Sequence, residues 1–336
     1  MQNPMTLLRF PLLLAVLSSC SFGLQVKWFR FDKQFIAARY PEDSAFGSLT
    51  ASNWARSAVH PVSCSGKDGE VHIGVFDPAI QLKTDEKPIS SPAEGEAPGW
   101  GVVAELPNVR LGSGDEELDK LKGETVAFHG YYRVWNEGHH AEKMPPPSNP
   151  NHVFEVHPAW GFTSGASKFE EKSLVAAIPE YNGYGASKFK AIFEAIKEEE
   201  WLRAYQDDNF LFVELGETPN FFQLPVRIRG VKTINGGHEL RVDVFSDKNH
   251  TKRVFRNLRC ITVSGSPIDG TLAVGKSAFL LGFFSVNLKK AMKASASARS
   301  EEDSIRVVNA LEFFVFGRAL KNAVSSSDCA PEPDGP

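Results

Sequence analysis

"GETVAFHGYYRVW", Gly123 to Trp135, and "GKSAFLLGFFSVN", Gly275 to Asn287, are two copies of one pattern. Both carry a glycine frame, Gly123 and Gly130 against Gly275 and Gly282. Both carry an aromatic pair, Tyr131 and Tyr132 against Phe283 and Phe284, and a valine two residues beyond it. Downstream, "HVFEVHPAWG" from His152 lines up with "NALEFFVFGR" from Asn309, and the two share a glutamate, Glu155 and Glu312. Upstream, "DGEVHIGVF" from Asp68 has the rhythm of "GHELRVDVF" from Gly237. The three matches fall in the same order in both halves, which is how one structural unit built twice reads.

The unit is β. Its runs are short, rich in β-branched and aromatic residues, and alternate in polarity between turn residues, as in "VHIGVF", "GVVAEL" and "HVFEVHPAWGF". "INGGHEL", Ile234 to Leu240, carries the Asn-Gly of a tight hairpin. About five strands with a long loop before the last suit an OB-like barrel better than a sandwich. The expected architecture is mainly β: two tandem OB-like barrels, 54–165 and 209–320, joined by an amphipathic helix. That helix is read over Ser187 to Asp208, with Ser187 as N-cap and Phe189, Ile192, Phe193, Ile196 and Leu202 at helical spacing. Its "KEEE" run is a solvated face. Lys83 to Trp100 and Glu142 to His152 read as long loops, and 321–336 as a disordered tail.

A chain of 336 residues, 42% hydrophobic and 23% charged, has room for about two domains. Its net charge of −4 gives no general basic field, which disfavours nucleic acid as a partner. Arg9 followed by "FPLLLAVL" and small residues reads as a secretory signal over 1–23, because the apolar run is too short to cross a bilayer. "LSSC", Leu17 to Cys20, resembles a lipobox with Cys20 as the acylated residue, and cleavage after Gly23 is the alternative. The expected location is the periplasm or cell envelope, with any membrane contact made through that lipid anchor. None of Cys20, Cys64, Cys260 and Cys329 forms a C-x-x-C pair, so a cysteine zinc site is disfavoured. A disulfide among the last three and burial of Cys64 and Cys260 as small apolar residues both fit.

The repeat also singles out the histidines. Where the first copy has His72, His129, His152 and His157, the second has Arg241, Leu281, Asn309 and Phe314. The barrel therefore folds without imidazoles, and those of the first copy are special to it. Asp68, Glu70 and His72 share one face of their strand, and Glu155 and His157 share one face of theirs. Asp68, His72, Glu155 and His157 are the candidate ligand set, for zinc or another divalent ion. The candidate binding surface is His129, Tyr132, Trp135, His152 and Trp160, against a second copy with a local excess of arginine and lysine.

"HPVSCSGKDGEVHIGVF", "GETVAFHGYYRVWNEGHH" and "HVFEVHPAWGF" together resemble a group of uncharacterised exported bacterial proteins. Those carry an Asp-Gly-Asp/Glu-x-His strand and a closing Glu-Ile/Val-His-Pro strand. The resemblance covers about 54 to 162. It implies a shared OB-like fold and marks His60, Cys64, Asp68, His72, Glu155 and His157 as the defining positions, without implying a reaction. No nucleophile elbow, P-loop or dinucleotide fingerprint occurs. The expectation is thus an exported envelope protein binding a partner protein or small ligand through its first barrel. The alternative is a metal-dependent hydrolase of phosphodiester-like substrates using the Asp/His/Glu set.

Overall fold

A computed structural model describes residues 26–40, 46–52, 54–59, 62–63, 67–68, 70–75, 102–107, 114–136, 153–170, 186–198, 201–218, 221–266 and 268–317. Residues 1–25, read above as a signal with Cys20, together with Cys64, His139, His140, His152 and the residues after Gly317, lie outside the described residues. In the first half the strands are β1 (Val26–Asp32), β2 (Phe46–Ala51), β3 (Trp54–Val59), β4 (Val62–Ser63), β5 (Lys67–Asp68), β6 (Val71–Val75), β7 (Val102–Leu106), β8 (Val126–Val134), β9 (Phe154–Ser164) and β10 (Ser167–Glu170). In the second they are β11 (Arg203–Gln206), β12 (Phe210–Gly216), β13 (Phe221–Ile234), β14 (Gly237–Phe245), β15 (Arg253–Val263), β16 (Ser277–Val286), β17 (Ile305–Arg306) and β18 (Leu311–Gly317). The helices are α1 (Lys33–Arg39), α2 (Gly114–Asp119), α3 (Ala186–Lys197) and α4 (Leu288–Ala294).

Five strands of the second half close a barrel in the order β13-β14-β15-β18-β16, with β15 and β18 parallel and the other paired neighbours antiparallel. The Asn235-Gly236 turn joins β13 to β14 as expected, and Gly236 takes the left-handed φ of 84° that such a turn requires. β13 serves two neighbours: Phe221 to Arg227 pair with β16, and Val226 to Ile234 with β14.

The first half repeats this plan with its opening strand interrupted. β2 pairs with β8 and β3 with β6, so the two do jointly what β13 does alone. The order β2-β8-β9-β7-β6-β3 then matches the second barrel strand for strand, including the parallel β7–β9 pair. The protein is therefore mainly β, with two tandem OB-like barrels. The first begins at Phe46 rather than at residue 54, because its opening strand is broken before Trp54. The aligned glutamates confirm the repeat: Glu155 lies opposite Arg133, and Glu312 opposite Ser285, the two partners themselves being equivalent in the repeat.

Between the barrels, α3 stops at Lys197, short of Asp208. Leu202 adopts a left-handed φ of 66°, and the chain continues as strand, so the expected helix gives way to the β11–β12 hairpin. That hairpin joins β1 and β17 in a separate four-stranded sheet, β1-β12-β11-β17. α3 buries Phe189, Ile192, Phe193 and Ile196, and Phe193 reaches Phe255 and Phe284 of the second barrel.

Alternation sends Tyr132, Val134, Phe284 and Val286 into the barrel cores. Tyr131, Arg133, Phe283 and Ser285 then stand on the outer faces, where they are nonetheless buried. They are buried because the barrels pack back to back through β8 and β16. Tyr131 lies 4.7 Å from Phe314 and His157 lies 4.8 Å from Phe283, two contacts that the repeat makes equivalent. Arg133 Nε donates to the Phe284 carbonyl, and the Val134 N–H donates to Ser285 Oγ. The two copies thus form an internal pseudo-dimer with a small aromatic core of its own, Tyr131, Phe221, Ile261, Phe283 and Phe314 among its members.

Phe283→Ala empties the middle of that core and should cost about 3–5 kcal/mol in urea unfolding. Val274→Ala, at a site 62% exposed, should stay within about 0.5 kcal/mol.

Candidate metal centre and inter-barrel cleft

Four adjacent strands of the first barrel aim alternate residues at the back-to-back interface. Glu70 and His72 come from the β6 segment, Glu105 from β7, Glu155 and His157 from β9, and Arg133 from β8. Register brings them together: His72 lies opposite Glu105, and Arg133 opposite Glu155. Each imidazole sits between the same two carboxylates. His72 has Nε2 3.4 Å from Glu70 and Nδ1 3.7 Å from Glu105, while His157 has Nε2 3.4 Å from Glu70 and Nδ1 2.8 Å from Glu105. Arg133 Nη1 donates to Glu155 Oε1 at 2.5 Å, and its guanidinium lies over the Phe283 ring. No member of the group is more than 6% exposed.

Among the described residues, three buried carboxylates face one guanidinium and two imidazoles. Burial alone would lower the pKa of both imidazoles, but the charge of Glu105 and the bond and charge of Glu70 outweigh it for His72, raising it to about 10. His157 is likewise raised, against its burial, by Glu105 and Glu70. The ligand atoms of Glu70, Glu105 and His157 lie within 4.8 Å of one another, close enough to hold a metal ion.

The second barrel builds its counterpart from fixed charges. Glu239 and Glu312, equivalent to Glu70 and Glu155 in the repeat, both accept from Arg259. Arg241, in the place of His72, bonds Glu239 at 2.7 Å, and Lys290 reaches Glu312 at 3.1 Å. Arg229 and Arg253 are spent on Asp243. The arginines that read as a basic surface are therefore largely engaged within the barrel.

Of the expected ligand set, His72, Glu155 and His157 converge. Asp68 is described only by its backbone, on β5 beside β4. Glu155 belongs mainly to Arg133. Glu70 and Glu105 are the carboxylates the expectation left out of the set. Glu70 was visible two residues before His72 on the same strand face, and Glu105 as a lone acid in an apolar strand.

Of the expected binding surface, Tyr132 and Trp135 are fully buried. Tyr132 fills the first barrel, and Trp135 donates to Thr218 and stacks on Phe284. A large aromatic on a two-sided strand was as able to face inward as outward. Cys260, the buried free thiol of the second barrel's core, takes the apolar reading. His129 and Trp160 do reach a cleft of about 600 Å³ between the barrels. Phe46, Trp160 and Phe169 line it together with Thr163, which lies 3.0 Å from His129 Nε2, and with Asn235 of the second barrel. Burial lowers the pKa of His129, which leaves its imidazole neutral at pH 7.

No protein-family model and no solved structure matches the chain. Over 130 residues it is 28% identical to DNA topoisomerase 1 of Rickettsia felis and 29% identical to that of Rickettsia conorii, in each case over 36% of this chain. The chain spans only 17% of the length of these curated relatives.

Removing one member of the buried Arg133–Glu155 pair strands the other. Arg133→Met should destabilise by about 3–5 kcal/mol, and adding Glu155→Leu should restore most of the loss, as read by urea titration. In chelator-treated protein, His72 gains its partners only on folding and its pKa rises. Its contribution is therefore complete below pH about 6.5 and is lost as pH rises through about 10. A melting-temperature profile over that range should fall more steeply for the wild type than for His72→Gln.

Proposed function

We propose that the chain is an exported protein of the cell envelope that binds a small ligand in the cleft between its barrels. The cleft at Trp160 carries the reading: partly exposed aromatic rings surround hydrogen-bonding side chains in a space of small-molecule size. Its charged residues Lys168 and Glu170 pair with each other at 2.8 Å, which favours an uncharged ligand such as a sugar ring. The N-terminal apolar run supports export, and an acyl group on Cys20 would supply the membrane contact.

The hydrolase alternative, with Asp68, His72, Glu155 and His157 as its working groups, has less support. Those of its side chains that are described are sealed from solvent, whereas reacting groups must meet a substrate. The buried nitrogen and oxygen donors suit a structural zinc ion instead. DNA, which the topoisomerase likeness brings to mind, would need a basic groove tracking phosphates, and four arginines of the second barrel, Arg229, Arg241, Arg253 and Arg259, are paired with its own carboxylates.

Titrating the full chain with N-acetylglucosamine oligomers while following tryptophan fluorescence tests the cleft. Saturable binding weakened about tenfold or more by Trp160→Ala is the expected result, equivalent to about 1.4 kcal/mol. Binding of an oligothymidylate that depends on Trp160 and falls with salt would replace the sugar by nucleic acid.

A further inference from the structure

We propose that Glu70, His72, Glu105 and His157 form a site for a divalent cation of zinc-like chemistry, which does for the first barrel what fixed cations do for the second. The inference rests on the zinc part of the reading above, and it names the four ligands and the job the ion performs.

The geometry fits. A tetrahedral ion with bonds of about 2.0–2.1 Å holds its ligand atoms about 3.3 Å apart. Taking one ligand atom from each, Glu70, Glu105 and His157 lie within 4.8 Å of one another, and His72 Nε2 lies 3.4 Å from Glu70 at the edge of that group. His157 Nδ1 also lies 3.5 Å from Glu155, a carboxylate outside the ligand set, so this imidazole can turn Nε2 to the ion and keep the outer support by which ligating histidines are usually oriented.

The charge fits as well. Glu70, Glu105 and Glu155 gather three acidic groups in one buried cluster, the kind of donor set that a dication takes. Imidazole nitrogen in the set selects a zinc-type ion over magnesium or calcium, which prefer oxygen alone.

The internal repeat supplies an independent observation. Two copies share a pair of glutamates on the same face of the same strands. In the second copy Arg241 and its cross-strand neighbour Arg259 neutralise them. In the first copy the corresponding cross-strand pair is His72 and Glu105, an imidazole and a further carboxylate. Two guanidinium cations have been exchanged for two ligand-type groups. Because His157 packs on Phe283, an ion bound there also fixes a side chain that bridges the barrels.

The test is zinc titration of the full chain after chelator dialysis, by calorimetry and thermal melting, with magnesium as control. The expected result is uptake of about one equivalent of zinc, a raised melting temperature, and no response to magnesium. Glu105→Gln, nearly isosteric, should weaken zinc binding about a hundredfold. His72→Arg, which installs the cation of the second barrel, should fold without zinc and take up none. Uptake below about a tenth of an equivalent by the folded wild type, or undiminished uptake in both variants, overturns the site. Sugar binding and its loss in Trp160→Ala would survive that outcome, so the two readings fail separately.

Discussion

Tyr131 and Phe283 each stand on the outside of a barrel, and covering them is the constraint from which the rest of the molecule follows. A strand two-sided in its apolar residues needs a cover on both faces. Here each copy supplies the cover of the other through the strand that carries the aromatic pair. Once β8 and β16 lie back to back, the outward residues beside Tyr131 and Phe283 are buried too, whether apolar or not. Glu105, Glu155, His157 and Arg133 are enclosed because they share a face with Tyr131.

Seen this way, the two barrels solve one problem differently. Both place a glutamate of the last strand in the enclosed zone, Glu155 and Glu312, and an unmatched charge there is costly. The second barrel surrounds its acids with Arg241, Arg259 and Lys290, and where the first has His157 it places the purely apolar Phe314. The first barrel keeps one guanidinium, Arg133, and adds imidazoles. Duplication permits such divergence, since a copy that carries stability through permanent ion pairs leaves its twin free to acquire a ligand.

Much of the fold was legible because it was written twice. The glycine frame and the Tyr-Tyr/Phe-Phe pair set the register of β8 against β16 correctly, and Asn235-Gly236 announced its hairpin. What stayed hidden was non-local. No local pattern shows that residues 26–32 pair with 210–216, or that helical spacing running as far as Leu202 yields to a strand. The site was half legible for the same reason. His72 and His157 stood out against the second copy, but Glu105 becomes their neighbour only through pairing of strands β6, β7 and β9. Tyr132 and Trp135 misled because alternation along a strand gives two faces without saying which is wet, and here neither is.

The sheet β1-β12-β11-β17 has a further consequence, for the order in which the molecule assembles. Val26 pairs with Gly216 and Ala204 with Ile305, so the earliest described strand waits for a hairpin made some two hundred residues later, and that hairpin for a segment of the second barrel. Closing loops of this length is slow compared with closing a hairpin. During synthesis the first barrel can emerge and collapse while β1 still has no edge to join. The β11–β12 hairpin gives β1 its edge before the second barrel is made, and β17 completes the sheet only after four strands of that barrel, so the sheet works as a latch across both copies.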